Sequence, residues 1–462
     1  MSPERRYDAL VVGAGPAGLA AATTLARAGR SVAVFDEQPT PGGQVHRAVA
    51  AVPESRRALL GPDYARGREA VEAFLASGAH HIGQASVWSA APGRVGVTVG
   101  GVAHLVEGDA VVLATGAYER PFPIPGWTLP GVLSGGGAQT LLKASGLVPE
   151  GRTVIAGSGP LVWLLAWQYL RCGLTVDAIL DSTPAGNRWR AAPHLAGFLA
   201  SPYPVKGLEL LRAVRRSVRV VRGVSALEAV GEDRVSALRY RVGAGAWVEM
   251  GVDTLLLHQG VVPAIELAAS AGIRQRWDRD QLCWHPEVDA MGRTPLAGLY
   301  LAGDGTGIAG AEAAALSGEL AAHAILGTSE GGRVSGLLAQ RARWLRGRRF
   351  LDLLYQPAPA FRVPAGETLA CRCEEVTARA LGEAAALGVP GPNQLKAFLR
   401  CGMGPCQGRL CGLTVTEALA HHSGRTPAQV GRYRARVPVK PLPLAALAAM
   451  PATDDERRAV ER

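Results

Sequence analysis

The chain has 462 residues, of which 48% are hydrophobic and 19% are charged, so it is long enough for several domains and far from a disordered composition. Its formal net charge is +10, but only four of its 49 basic residues are lysines; we attribute the arginine excess to codon usage and expect no nucleic-acid partner. No apolar run approaches the roughly 20 residues that span a bilayer. We therefore predict a cytoplasmic protein without a transmembrane segment, at most peripheral to the inner membrane.

The first candidate site lies in residues 8–37, DALVVGAGPAGLAAATTLARAGRSVAVFDE, which predict a strand, a glycine turn, a helix and a second strand. Glycines at this spacing allow the turn, the approach of a pyrophosphate to the backbone, and close packing of the helix on the strand. They are Gly13, Gly15 and Gly18. Asp36 ends the second strand, where a carboxylate binds the adenosine ribose, and Glu37 is a second candidate for that role. The segment also imitates a secretion signal, but an adenine-dinucleotide site explains it better.

Three later segments resemble motifs of the two-dinucleotide-binding flavoprotein superfamily. They are EQPTPGGQVHR at 37–47, DAVVLATGAYERPFPIPG at 109–126 and GRTPLAGLYLAGDGTG at 292–307. In that superfamily the glycine pair of the first lies against the FAD pyrophosphate, and the Asp of the last meets a ribitol hydroxyl; a plain Gly-Asp-Gly turn is the alternative. The resemblance implies FAD, bound by Gly13, Gly15, Gly18, Asp36, Glu37, Gly43, Gln44, Arg47, Thr115, Gly116, Gly303 and Asp304.

Residues 152–181, RTVIAGSGPLVWLLAWQYLRCGLTVDAILD, repeat the strand, turn and helix in a damaged form. The first two glycines are present, but Val162 takes the third position and Leu180 takes the position of the ribose-binding acid. A valine should push the helix away from the strand. In NAD(P)H-using relatives this segment binds the nicotinamide cofactor. Here it is either structural or holds an adenine nucleotide without hydride transfer, and NAD(P)H use stays open.

The first 400 residues contain no CxxC or CxxxxC pair, so disulfide reductase activity of the thioredoxin or glutathione type is not expected. Cys172 and Cys283 stand alone, as core cysteines usually do. No histidine and acid stand together as a proton-abstracting pair. By analogy His258 lies near the flavin, but a packed histidine explains it equally well.

The C-terminal cysteines form two pairs, Cys371-x-Cys373 and Cys406-x4-Cys411, with 32 residues between them and Cys401 as a fifth thiol. Small predicted helices bring the two cysteine loops together. Four thiolates from two short loops suit zinc or an iron–sulfur cluster. Zinc sites usually use CxxC pairs, and a disulfide fits a cytoplasmic protein poorly.

CRCEEVT and LKAFLRCGMGPCQGRLCG resemble the ferredoxin module that is similar to bacterioferritin-associated ferredoxin and binds a 2Fe-2S cluster. The resemblance implies the ligands Cys371, Cys373, Cys406 and Cys411. It places Cys401, where relatives often have another residue, near the cluster rather than on it. Leu399 departs from a position that is often Thr, which removes a hydrogen bond near the cluster but no ligand.

Together the motifs predict an α/β fold with two Rossmann-like domains and a small helical 2Fe-2S domain. The predicted segments are 1–130 (FAD domain, first part), 131–255 (second Rossmann-like domain), 256–330 (FAD domain, second part), 331–365 (basic linker or helix), 366–425 (2Fe-2S domain) and 426–462 (tail).

This combination resembles the larger subunits of opine oxidases, proline or hydroxyproline dehydrogenases and hydrogen cyanide synthases. The resemblance implies an electron-transfer subunit of a heteromeric amino- or imino-acid dehydrogenase. Its partner would be an amine-oxidising flavoprotein of the D-amino-acid or glycine oxidase kind, and its electron acceptor a quinone or another acceptor. A self-sufficient NAD(P)H-dependent reductase that feeds its own cluster, and a non-catalytic scaffold, are the other hypotheses.

Overall fold

The computed structural model describes residues 6–328 and 330–450. Within them the chain forms two sheets of mainly parallel strands covered by helices, smaller antiparallel sheets, and a helical C-terminal domain. The predicted fold class, two Rossmann-like units followed by a small helical domain, is confirmed. The polypeptide builds most of the first unit, crosses to the second, and returns to the first before it reaches the helical domain.

The first unit begins as an alternation of strands and helices. Its elements are β1 (Arg6–Val12), α1 (Pro16–Arg27), β2 (Val32–Phe35), α2 (Glu54–Leu60), α3 (Pro62–Leu75), β3 (His80–Ile82), β4 (Ala85–Ala91), β5 (Arg94–Val99) and β6 (Val102–Leu113). The parallel strands lie in the order β3-β2-β1-β6, while β4, β5 and the first half of β6 pair antiparallel. β1 from Ala9 onward and all of β2 are apolar and buried, as strands covered on both faces must be.

The second unit repeats this alternation after a short strand, β7. Its elements are β7 (Ala117–Glu119), β8 (Val132–Ser134), α4 (Gly135–Ser145), β9 (Thr153–Gly157), α5 (Pro160–Arg171), β10 (Ala178–Asp181), α6 (Asn187–Ala191), α7 (Leu195–Leu199), α8 (Tyr203–Ser217), β11 (Arg219–Arg222), β12 (Val224–Gly231), β13 (Val235–Val242), β14 (Trp247–Gly251) and β15 (Thr254–His258). Its parallel sheet has the order β11-β10-β9-β15-β8, and β12 to β14 form a separate antiparallel sheet.

The chain then returns to complete the first unit. These elements are β16 (Val261–Pro263), α9 (Glu266–Ser270), β17 (Gln275–Asp278), β18 (Cys283–Pro286), β19 (Leu299–Leu301) and α10 (Ala311–Ile325). β16 pairs with β7, and β19 joins β6 in parallel. Helix α10 crosses α1 in backbone contact, because a Cβ at Gly318 would lie 1.9 Å from the Ala17 carbonyl oxygen. Only glycine allows this approach.

The last part of the described chain is mainly helical. Its elements are α11 (Gly332–Leu345), α12 (Arg348–Leu354), α13 (Pro359–Arg362), β20 (Leu369–Cys371), β21 (Val376–Thr377), α14 (Ala378–Ala386), α15 (Pro392–Leu399), α16 (Gly412–Ser423), α17 (Pro427–Val430) and α18 (Leu444–Ala448). α14 to α16 enclose a small core of their own, which Val430 and Tyr433 complete. Among the described helices, none has the length and apolar character needed to cross a bilayer.

Candidate flavin site and cysteine centre

The glycine turn after β1 has the geometry that a bound dinucleotide requires. Gly13 has a φ of +105°, which favours glycine, and its N–H donates to the Phe35 carbonyl at 2.8 Å. A Cβ at Gly18 would lie 1.8 Å from the Gly13 carbonyl oxygen, so helix and strand are in close contact there. Gly15 precedes α1, which starts with Pro16. The unpaired N–H groups of this helix end are therefore available to an anion.

The two acidic candidates after β2 have different surroundings. Asp36 accepts hydrogen bonds from the backbone N–H groups of Ala14 and Gln38, both at 2.7 Å, and so stands at the glycine turn. Glu37 is exposed and contacts Lys440 of the C-terminal segment. The structure thus brings Asp36 to the nucleotide turn and leaves Glu37 outside it.

The glycine pair lies directly against the turn. A Cβ at Gly43 would be 2.7 Å from Gly15 Cα, so the two backbones touch. Arg47 donates to the Gln44 side-chain oxygen at 2.7 Å, while its Nε is buried without a hydrogen-bond partner. This unpartnered cationic donor next to the turn fits an anionic cofactor.

A second cation, Lys143 of α4, also contacts Gln44, and no sequence pattern marks it. Its Nζ donates to the Gln44 carbonyl at 3.1 Å and to Gln139 Oε1 at 2.9 Å. The side chain is buried, which lowers the pKa of Lys143 to about 7. A buried cation bound only to neutral oxygens needs an anion nearby, and the FAD diphosphate is suited to that role.

The remaining two flavin motifs meet each other. A Cβ at Gly305 would lie 3.0 Å from Thr115 Oγ1, and this hydroxyl donates to the Ala264 carbonyl at 2.8 Å. Asp304 Oδ1 accepts from the backbone N–H groups of Ala309 and Gly310 at 2.8 and 3.0 Å. One carboxylate oxygen of Asp304 therefore stabilises the turn that leads into α10.

A buried histidine–glutamate pair lies at the damaged second glycine motif. His258 Nδ1 is 2.6 Å from Glu119 Oε1, and Glu119 Oε2 accepts from the Gly136 N–H at 2.8 Å. A Cβ at Gly159 would lie 3.4 Å from His258 Nε2. The imidazole therefore lies against the second glycine turn. No sequence signal marks the pair, because Glu119 belongs to another strand.

The end of α12 and the two residues after it lie against this second unit. Asn187 donates to the carbonyls of Leu354 and Gln356 at 3.1 and 2.8 Å, and Ser158 Oγ donates to the Tyr355 carbonyl at 3.4 Å. Ser158 directly follows the carboxyl end of β9, and Rossmann-like sheets bind ligands at the carboxyl ends of their strands. Residues 354–356 therefore contact the second unit on the side where a dinucleotide would be expected.

Five cysteines converge in the helical domain. The Sγ atoms of Cys371, Cys401 and Cys411 all lie within 4.8 Å of one another, and all three residues are buried. Cys406 contacts Cys411 and also Cys373, and Cys406 and Cys373 are half-buried. The sequence pattern placed Cys401 beside the group, whereas the structure puts it inside.

The shared hydrogen bonds favour the thiolate at two of the five cysteines and raise the pKa of Cys401 and Cys411, while burial raises the pKa of Cys373. Hydrogen bonds from Cys401 and Cys411 lower the pKa of Cys371 to about 2, and a hydrogen bond from Cys411 likewise lowers the pKa of Cys406. Thiolate is the form that binds metals. The donor set therefore fits a thiolate-ligated metal or iron–sulfur centre.

Glycines bring the cysteine loop onto one aromatic ring. Cβ atoms at Gly402, Gly408 and Gly412 would lie 2.6, 2.7 and 3.3 Å from atoms of the Tyr433 ring. Burial raises the pKa of Tyr433, so its hydroxyl stays protonated beside Cys401. The segment after α17 is therefore part of the cysteine centre.

One cleft joins the flavin motif to the cysteine loop. Its walls include Tyr118, two residues after Gly116, together with Glu266 on one side and Gly408 and Tyr433 on the other. The Tyr118 hydroxyl donates to Glu266 Oε1 at 3.1 Å. Burial raises the pKa of Glu266, so this carboxyl holds a proton more readily than a solvated one.

Residues 7–325 match the family of pyridine nucleotide-disulphide oxidoreductases. The chain belongs to this family. As a member it is an FAD-dependent oxidoreductase, which confirms the FAD prediction. Residues 366–451 match the sarcosine oxidase A3 domain, and this match includes all five cysteines of the centre.

Similar proteins cover almost the whole chain of this pyridine nucleotide-disulphide oxidoreductase. One subunit of the opine oxidase of Agrobacterium tumefaciens (strain Ach5) is 48% identical, over 98% of this chain and 94% of that protein. Hydrogen cyanide synthase subunit HcnB of Pseudomonas aeruginosa is 31% identical, over 95% and 97%. L-proline dehydrogenase from P. horikoshii has a similar fold, with a TM-score of 0.67 at 20% identity, covering 97% of this chain and 81% of that one. The predicted resemblance to these proteins is confirmed.

Proposed function

We propose that the chain is the electron-transfer subunit of a heteromeric amino- or imino-acid dehydrogenase of the opine, proline or hydroxyproline type, holding FAD and a 2Fe-2S cluster. One observation carries the proposal: the cleft between Tyr118 and Tyr433 is lined both by the strand that follows the flavin motif and by the cysteine loop. FAD supplies two-electron chemistry and an iron–sulfur cluster supplies single-electron transfer. A chain that holds both cofactors beside one cleft is suited to convert two-electron transfer into single-electron transfer.

The cysteine contacts support a cluster held by two pairs of thiolates. Cys371 contacts Cys411, and Cys373 contacts Cys406. These are the four ligands that the sequence pattern implies. A 2Fe-2S cluster takes four thiolates, two for each iron. The half-buried pair gives the centre an outer side from which an electron can leave or enter.

The partner proposal follows from the relatives, two of which are named as subunits of an opine oxidase and a hydrogen cyanide synthase. We infer that an amine-oxidising flavoprotein of the D-amino-acid or glycine oxidase kind oxidises the substrate. This chain then passes the electrons to an acceptor such as a quinone. The complex would work in the cytoplasm, free or bound peripherally to the inner membrane.

Isolation of the native complex tests this proposal. Mass spectrometry of co-purifying subunits should find the second flavoprotein, and iron and acid-labile sulfide should accompany FAD. In the reconstituted complex, Cys406→Ser should abolish electron transfer to a quinone while assembly and FAD content stay normal. Full turnover by this variant would mean that the cysteine centre is not on the electron path. A chain that purifies alone and oxidises the substrate itself would contradict the subunit role.

A further inference from the structure

The buried side of the cysteine centre contains one thiol more than a cluster needs. Cys401 follows Arg400, whose left-handed φ of +56° ends α15 and turns the chain back toward β20. This turn puts Cys401 Sγ within 4.8 Å of the sulfurs of both Cys371 and Cys411. Cys401 is completely buried, as is Cys371, so solvent does not compete for either thiol.

The spacing of these three sulfurs suits a shared metal position. Two thiolates bound to one tetrahedral ion at about 2.3 Å are roughly 3.8 Å apart. Each pair within the group of Cys371, Cys401 and Cys411 lies within 4.8 Å, so a small adjustment lets any two of them bind the same ion. The outer position differs, because Cys373 and Cys406 contact each other and neither belongs to this group of three sulfurs.

We propose that Cys401 is an exchangeable ligand of the inner metal position, able to take the place of Cys371 when that thiolate is lost. The proposal rests on the 2Fe-2S centre proposed above and deepens it. The alternative set would be Cys373, Cys401, Cys406 and Cys411. A plain core cysteine at position 401 would need only apolar neighbours, whereas this one has two thiols and the Tyr433 hydroxyl beside it.

Cluster reconstitution in the full chain tests the exchange. After anaerobic loading with iron and sulfide, Cys371→Ser is expected to keep more than about half of the wild-type iron, with altered g-values in the reduced state. The double variant Cys371→Ser/Cys401→Ser should fall below about a tenth. Cys373→Ser is the matched control from the outer pair. Cys401 is not grouped with that pair, so this variant should lose its iron as the double variant does. Cys401→Ser alone should keep the wild-type content.

Equal iron loss in Cys371→Ser and in the double variant would overturn the inference. FAD content and far-ultraviolet circular dichroism show whether each variant is folded. Cys371→Ala and the double variant Cys371→Ala/Cys401→Ser repeat the comparison. If the wild-type chain takes up no cluster, the proposed cofactor is wrong. The wild-type chain and the four serine variants are then titrated with Co²⁺: binding by Cys371→Ser but not by the double variant supports Cys401 as a ligand, and equal binding by both refutes it.

Discussion

At the residue scale, the flavin site contains two cations that meet at one glutamine. Arg47 binds the Gln44 side chain and Lys143 binds its carbonyl, and neither forms an ion pair with a described carboxylate. Gln44 directly follows Gly43, whose backbone touches the glycine turn. Because unpaired buried charge is costly, we expect the buried Lys143 and the half-buried Arg47 to stabilise the anionic part of FAD.

Replacement of Lys143 by Met should therefore weaken FAD binding. A hydrogen bond to a charged group contributes about 1.5–3 kcal/mol, so the Kd should rise about ten- to a hundredfold. Titration of the apo-protein with FAD, followed by flavin fluorescence, measures this change. Lys143→Arg keeps the charge and should retain most of the affinity. An unchanged Kd in Lys143→Met would show that the lysine does not act on the cofactor.

The same lysine predicts a pH dependence. Burial lowers the pKa of Lys143 to about 7, so its charge is present below this pH and lost above it. FAD affinity should therefore fall as the pH rises from about 6 to about 8. The neighbouring groups do not change charge in this pH range. Arg47 keeps its charge, burial lowers the pKa of His46 to about 4, and burial raises the pKa of Tyr64 to about 12. If the FAD affinity of Lys143→Met falls with pH as in the wild type, a group other than Lys143 causes the pH dependence.

At the scale of elements, the end of α12 and the two residues after it contact the second Rossmann-like unit. Residues 354–356 accept hydrogen bonds from Asn187 and Ser158 through their backbone carbonyls, and His258 lies against the glycine turn. Val162 is buried at the position of the third glycine. We expect these features to hinder dinucleotide binding by a unit whose strand order would otherwise favour it.

NADH and NADPH should accordingly fail to reduce the flavin. Mixing either one with the FAD-loaded chain in a stopped-flow instrument should leave the visible flavin absorption unchanged. Dithionite added to the same sample is the positive control and should bleach it. Rapid bleaching by NADH would contradict this prediction and favour a self-sufficient reductase.

Motifs contained in one stretch of chain were predictable, and contacts between distant stretches were not. The turn from Gly13 to Gly18 lies in one short stretch, so the spacing of its glycines alone predicts a dinucleotide-binding turn. Lys143 contacts Gln44 from a helix 99 residues away, and a lysine in an amphipathic helix looks solvent-exposed in sequence. The family spacing makes Cys401 a neighbour of the ligands, whereas the left-handed turn at Arg400 puts it within the group.

At the scale of the whole molecule, a buried ion cluster joins the cysteine domain to the flavin unit. Glu417 of α16 lies 3.6 Å from Arg120, which follows β7, and also pairs with Arg362. The side chains of Glu417 and Arg120 are only 3% and 4% exposed. Arg120 in turn donates to the carbonyls of Gln281 and Leu282. The cluster therefore fixes the cysteine domain relative to the flavin unit.

Glu417→Gln should loosen this junction. The change leaves two buried guanidinium groups without their carboxylate, and breaking a buried pair costs about 3–5 kcal/mol. Thermal unfolding should show a lower Tm than wild type. Glu383→Gln on the exposed face of α14 is the control and should change stability by less than about 0.5 kcal/mol. Equal Tm values for both variants would show that the cluster does not stabilise the junction.

The route of the chain after Tyr433 has a consequence for how the protein is made. Val439 donates to the Trp88 carbonyl at 2.9 Å, and Lys440 pairs with Glu37. Trp88 belongs to β4, the edge strand of the first sheet, so residues that the ribosome adds after the whole cysteine loop cover part of this edge. In a nascent chain the edge therefore stays uncovered until the helical domain has been synthesised.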